Sequence, residues 1–155
     1  MIRLAMLLTL LTVLAVGAGS VQAAVIYEAE LTPESVQPAS GATAYGQATL
    51  ILNDDRTEVL LTLNFAGLDT PQTAASLLFA TADEVGTVAR ALPVGTPLAE
   101  VFNYTAAIGE ALLNDGLAIQ VYSEDWPDGA IRGNFQFVTV GTTTSTWSQL
   151  KTLFD

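Results

Sequence analysis

The sequence predicts an antiparallel all-β domain, a sandwich or a barrel, interrupted by one short helical insertion. Three observations lead there. About seven short runs of apolar or alternating residues are separated by clusters of Gly, Pro, Asn and Asp, the texture of strands joined by turns. One of them, Glu58 to Phe65, alternates with period two: Val59, Leu61, Leu63 and Phe65 share one face, and Glu58, Thr62 and Asn64 the other, with Leu60 the exception. The chain of 155 residues contains no cysteine, so a hydrophobic core rather than disulfides must hold the fold.

The N-terminus stands apart. Residues 1–23 carry one charge, Arg3, then an apolar run from Leu4 to Val16, then small residues ending in Val21-Gln22-Ala23. This is the pattern of a secretory signal peptide cut before Ala24. The apolar run falls short of the roughly 20 residues a spanning helix needs. No cysteine follows it, which excludes a lipoprotein, and there is no twin-arginine pair. The protein is expected to be secreted or periplasmic, with no membrane span once the signal is removed. A domain is expected over residues 24–139, a normal size for a single core.

The elements follow in order. Val25 to Leu31 reads as a first strand, ended by Thr32-Pro33, and PESVQPASGATAYG as a loop. Gln47 to Leu52 and Glu58 to Phe65 form a hairpin about the turn Asn53-Asp54-Asp55-Arg56, whose Asn and Asp side chains can bond their own backbone. A turn at residues 66–71 leads to Thr73–Ala80, a strand with a helical turn as the alternative, and then to a short strand from Val85 to Leu92. Pro97 to Asn114 carries apolar residues at the spacing of a short helix, with Asn114-Asp115-Gly116 as its stop and Gly116 as the left-handed cap. Leu117 to Ser123 is a strand, Trp126-Pro127-Asp128-Gly129 a tight turn, and Ala130 to Val138 the last long strand. Alternation there sends Ile131, Phe135 and Phe137 inward and Arg132, Asn134 and Gln136 outward. Residues 140–155 read as a linker, GTTTST, and an amphipathic tail. Trp147, Leu150, Leu153 and Phe154 stand at helical spacing, with Ser145 or Thr146 as a cap. A docked C-terminal helix and a recognition or sorting tail are both open readings.

Composition removes several functions. Without Arg3, four basic side chains stand against sixteen acidic ones, a net charge near −12 that repels nucleic acid and anionic lipid. There is no histidine. Zinc and copper sites of the usual kind, Ser-His-Asp and Cys-His nucleophile systems, and the common physiological-pH switch therefore have no residues to build them. No cofactor is implied, and catalysis would be left to carboxylates, tyrosines and a few arginines.

Three segments carry a family resemblance: YEAELTPESVQP, ATAYGQATLILNDDRTEVLLTLNFAGLDT and LAIQVYSEDWPDGAIRGNFQF. Together they resemble the CHRD domain, with Pro127-Asp128-Gly129-Ala130-Ile131-Arg132-Gly133 as the most specific motif, over roughly Val25 to Val138. The resemblance implies an extracellular β-sandwich, immunoglobulin-like in general build, and no established activity. The departures are specific. Family members carry an Ala-His-Ile-His-like run after the Gly-Leu turn, in the region where this chain has Ala74-Ala75-Ser76-Leu77-Leu78-Phe79 and no histidine, and a histidine where it has Tyr122. An acidic residue before Ile-Arg-Gly is here Ala130. No metal role is carried over.

The residues singled out are Trp126, Pro127, Gly129, Ile131, Arg132 and Gly133, all expected to act structurally. Pro127 and Gly129 would shape the turn, and Gly133 would admit a neighbouring backbone or mark a bulge. Arg132 would be a fastener, its planar fork pairing with a carboxylate (Glu124, Asp125, Asp128, Glu28 or Glu30) and tying loop carbonyls across the sheet end. The acidic turns at 124–129 and 53–55 could offer oxygens to Ca²⁺, but neither has the twelve-residue loop spacing, and a plain hairpin turn is the preferred reading. Trp126 and Tyr122 could stack on a sugar; a half-buried aromatic pair at the strand end is preferred. The expected function is a non-catalytic structural or protein-interaction module contacting a protein or envelope component. A small-ligand, carbohydrate or calcium-binding module is the alternative.

Overall fold

A computed structural model describes residues 24–138. The signal-peptide reading of 1–23 and the linker and tail reading of 140–155 lie outside the described residues. Nine strands and one helix follow one another: β1 (Val25–Leu31), β2 (Tyr45–Leu52), β3 (Glu58–Ala66), β4 (Gln72–Phe79), β5 (Thr87–Leu92), β6 (Leu98–Asn103), α1 (Ala106–Leu113), β7 (Leu117–Ser123), β8 (Ile131–Asn134) and β9 (Gln136–Val138). The first sheet has the order β6-β3-β2-β1-β9 and the second β5-β4-β7-β8. Every pairing is antiparallel. The all-β sandwich expectation holds.

The core is the meeting of the two inner faces. Leu50, Leu61 and Leu63 of the first sheet and Leu77, Ile119 and Ile131 of the second are fully buried in one cluster. The alternation in β3 is realised as read. Its hairpin with β2 closes through Asn53, whose Oδ1 accepts from the amides of Thr57 (2.8 Å) and Glu58 (3.0 Å). The left-handed position in that turn belongs to Arg56 (φ 53°).

Two expectations need correction. The segment after Pro97 is not one helix. Leu98–Asn103 is strand β6, paired with the edge of β3, and only Ala106–Leu113 is helical. Leu98, Glu100 and Phe102 lie opposite inward residues of β3, so a period of two fits the segment and an open sheet edge selected it. Thr105 caps α1 by accepting from the Ile108 amide, and the left-handed residue after the helix is Asp115 (φ 52°), not Gly116. The second correction concerns the last strand, which is two. After Asn134 the chain turns at the buried Phe135, whose amide donates to the Leu117 carbonyl (2.9 Å), and crosses from the second sheet into the first. Phe137, expected inside, is 60 % exposed, its ring set edge-on to Tyr27 at the sandwich margin.

This crossing closes one side of the sandwich. Thr32 and Arg132 exchange backbone hydrogen bonds (2.9 and 3.1 Å), stitching the end of β1 to β8. Gly133 sits directly on the Glu30 carbonyl, where any Cβ would collide. On the opposite side, Arg90 of β5 reaches Glu100 of β6 across the gap (2.5 Å), its guanidinium 4.8 Å from the Phe102 ring centre.

Candidate functional site: a pinned outer face and an open trough

Arg132 has the most unusual environment in the fold. Alternation does send it outward, away from Ile131, yet its exposure is 0 %. Two loops explain this. The loop from Ala80 to Gly86 folds over the outer face of the second sheet, and the loop after β1 meets it there, Gln37 Nε2 donating to the Ala82 carbonyl. Arg132 Nη1 donates to the carbonyls of Glu84 (2.5 Å) and Val85 (3.4 Å), and Nη2 to that of Thr81 (2.8 Å). Asn134, two residues on and on the same face, donates to the Ala80 carbonyl (2.8 Å). The loop braces itself as well: the Thr81 amide donates to Glu84 Oε2 (3.0 Å), the Thr-x-x-Glu arrangement of a capping box.

Arg132 thus bonds loop carbonyls, as expected of it, but not the expected carboxylate. Among the described residues no acidic side chain lies within ion-pair distance of Arg132. The acidic turn faces elsewhere, with the Asp125 amide bonded to Thr70 Oγ1 and the Glu124 amide to the Pro71 carbonyl. Glu28 and Glu30 point off the outer face of the other sheet. Backbone carbonyls solvate the guanidinium charge instead, and among the described residues its Nε has no hydrogen-bond partner. Burial lowers the Arg132 pKa from the usual arginine value, while Tyr122 and Glu84 pull the other way. Burial raises Tyr122, opposed by Arg132 and by a hydrogen bond to Ser76. Ser76 and Tyr122 therefore meet on the outer face beside the arginine. Hydrogen bonds from the backbone and side chain of Thr81 hold the Glu84 carboxyl below its ordinary range.

The neighbouring motif residues build the turn that delivers Arg132. Gly129 has φ 129°, and a Cβ there would strike the Gln120 side chain, which donates to the Asp128 carbonyl (2.7 Å). The Gly129 amide closes the turn on the Trp126 carbonyl, with Pro127 between them. Trp126 is half-buried, its ring lying over Gly41 of the first long loop. Ser40 Oγ of that loop donates to the Ala130 carbonyl (2.5 Å). Ile131 fills the core. Among the described residues no group of three or more acidic side chains is placed to hold a metal ion.

The open chemistry lies on the other sheet. Glu30, Gln47 and Asn64 stand in one register row across β1, β2 and β3, and with Tyr45 they line a hollow of about 530 Å³ on the outer face. Gln47 and Asn64 also border a second hollow of about 270 Å³ with Thr49, Thr62 and Pro97. The two adjoin through Gln47 and Asn64 as one trough, in which amides, hydroxyls and the Glu30 carboxylate alternate with apolar side chains such as Leu63 and Leu98, beside a tyrosine that is 67 % exposed. The outward sense of Thr62 and Asn64 was legible in the alternation. Tyr45 falls in the PESVQPASGATAYG segment, whose composition is that of a loop, so alternation gives it no face. A third hollow of about 450 Å³ lies at the sandwich end, lined by Tyr27, Leu52, Arg56, Tyr104, Leu112 and Phe137 among others. Gly109 of α1 lets the Tyr104 hydroxyl lie close beneath the helix.

Two antiparallel sheets, a last strand shared between them and an arginine clamping a loop from a Pro-x-Gly turn define a compact β-sandwich module. A family model of the CHRD domain matches residues 27–135, and the chain belongs to that family. No curated protein matches the chain, and no solved structure does. Among the described residues no helix is long and apolar enough to cross a membrane.

Proposed function

We propose that this CHRD domain protein is exported through its N-terminal signal segment and acts as a non-catalytic contact module for a protein or other component of the cell envelope. The trough on the outer face of the first sheet carries the reading. It sets an exposed aromatic ring at one end of a groove bearing amides and hydroxyls, a composition suited to a polar interface with an aromatic anchor. The sequence supports the non-catalytic part, since it contains neither histidine nor cysteine. The test is capture from the native envelope by the immobilised chain, compared with a Tyr45→Ala/Gln47→Ala variant. Loss of the captured species in the variant is expected. Identical capture by both would remove the trough from the proposal.

The hollow at the sandwich end favours a second reading, a small ligand with an apolar body and an anionic group. Tyr27, Leu52 and Leu112 would take the body and Arg56 the charge. A thermal-shift screen of fatty and aromatic carboxylates separates the two readings. A rise in Tm that Arg56→Gln abolishes selects the ligand.

A further inference from the structure

The outer face of the first sheet carries an apolar row beside the trough. Val138, Ile26, Ile51, Leu60 and Val101 are register partners in turn across β9, β1, β2, β3 and β6. All five point away from the core, in the same sense as Glu28, Glu30, Thr62 and Asn64. A solvent-facing sheet normally alternates apolar-in with polar-out, so a complete apolar row on the outside requires a cover. Leu60 has one: it is 1 % exposed, although it belongs to neither of the buried apolar clusters that the described residues form.

We propose that residues 147–155 are that cover, docking across the row as a short amphipathic helix. The apolar positions Trp147, Leu150 and Phe154 fall on one helical face. The chain leaves the described fold at Val138, which is the first member of the row. Nine residues from there to Trp147 reach at most about 30 Å, and the row spans about 19 Å at the usual strand spacing. A nine-residue helix is about 13 Å long, so it covers most of the row. Such a helix is marginal alone in water and gains its stability by packing. Charge agrees: Lys151 is the only lysine in the chain, and Glu28 and Glu58 lie on the same outer face. The inference is independent of what the trough binds.

The test uses the chain from Ala24 to Asp155 and a version ending at Val140. Docking predicts that Leu60→Asp lowers Tm in the long chain by about 5 °C or more and in the short chain by much less. In a Trp126→Phe background, Trp147 should emit at short wavelength and shift to the red on Leu60→Asp. Zero-length coupling of amines to carboxylates should join Lys151 to Glu28 or Glu58, a readout that needs no substitution. Equal loss of Tm in both chains, or solvent-like Trp147 emission from the start, overturns the proposal. So does a blue shift that grows with protein concentration, which would seat the segment on a second copy.

Discussion

Replacing Arg132 by leucine tests the central structural claim. The perturbation removes two short charge-assisted hydrogen bonds, to the Glu84 and Thr81 carbonyls, and one long one to Val85. At about 1.5–3 kcal/mol each, the two short bonds amount to about 3–6 kcal/mol. Burying a guanidinium whose Nε is unbonded and which has no carboxylate in ion-pair reach among the described residues offsets part of this. The exposed loop can also rehydrate its carbonyls once released. A net loss of about 2–3 kcal/mol remains, which for a domain of this size lowers Tm by about 8–12 °C. The assay is thermal and urea unfolding, joined to hydrogen exchange of the amides from Thr81 to Gly86. Arg132→Lys should recover only part of the loss, because one ammonium cannot reach carbonyls on both sides of the turn as the fork does. An unchanged or higher melt in Arg132→Leu, with the loop's exchange unaltered, would show that the desolvation cost cancels the bonds. The fastener reading would then fail.

Gly133→Ala should cost about 1–3 kcal/mol by overpacking, because its Cβ would collide with the Glu30 backbone carbonyl rather than with a side chain able to move; a urea midpoint equal to the parent's would contradict the close approach. Arg90→Ala should cost no more than about 1 kcal/mol, since its ion pair with Glu100 is part-exposed, and a larger loss would show the β5–β6 clasp to be stronger than its geometry. Burial raises the pKa of both Tyr27 and Tyr122. Their neutral forms are thus favoured in the folded state: the associated stability is whole below the ordinary tyrosine value of about 10 and is lost as pH rises through the raised values. Urea midpoints should fall in that alkaline window, and Tyr122→Phe should make the fall shallower; a midpoint flat through pH 11 would refute this. Glu84 works at the other end. Its depressed carboxyl adds stability present above the ordinary glutamate range and lost as pH falls through the lowered value, so Glu84→Gln should lessen acid sensitivity.

Much of the sandwich was legible because strands buried on one face must alternate. Val59, Leu61, Leu63 and Phe65 gave β3 its inner face, and the inner residues of β7 were equally clear. The reading failed where local pattern and tertiary context compete. Leu98 to Leu113 carries apolar residues that fit a helix about as well as a strand, and the free edge of β3 decided the first half. Ala130 to Val138 alternates without interruption, so nothing local announces that Phe135 is a corner and that Gln136–Val138 belongs to the other sheet.

The same division applies to the motif residues. Residue type indicated that Gly129 shapes the turn, that Gly133 admits a backbone or marks a bulge, and that histidine and thiol chemistry have no residues here, while alternation put Arg132 off the core face. These follow from φ freedom, side-chain size and donor inventory, which travel with the residue itself. What binds the arginine was decided only by the fold. Its partners are the carbonyls of residues 81, 84 and 85, about fifty positions away, and a backbone carbonyl has no sequence signature because every residue carries one. The trough has the same origin, since Glu30, Gln47 and Asn64 become neighbours only through the register of three strands.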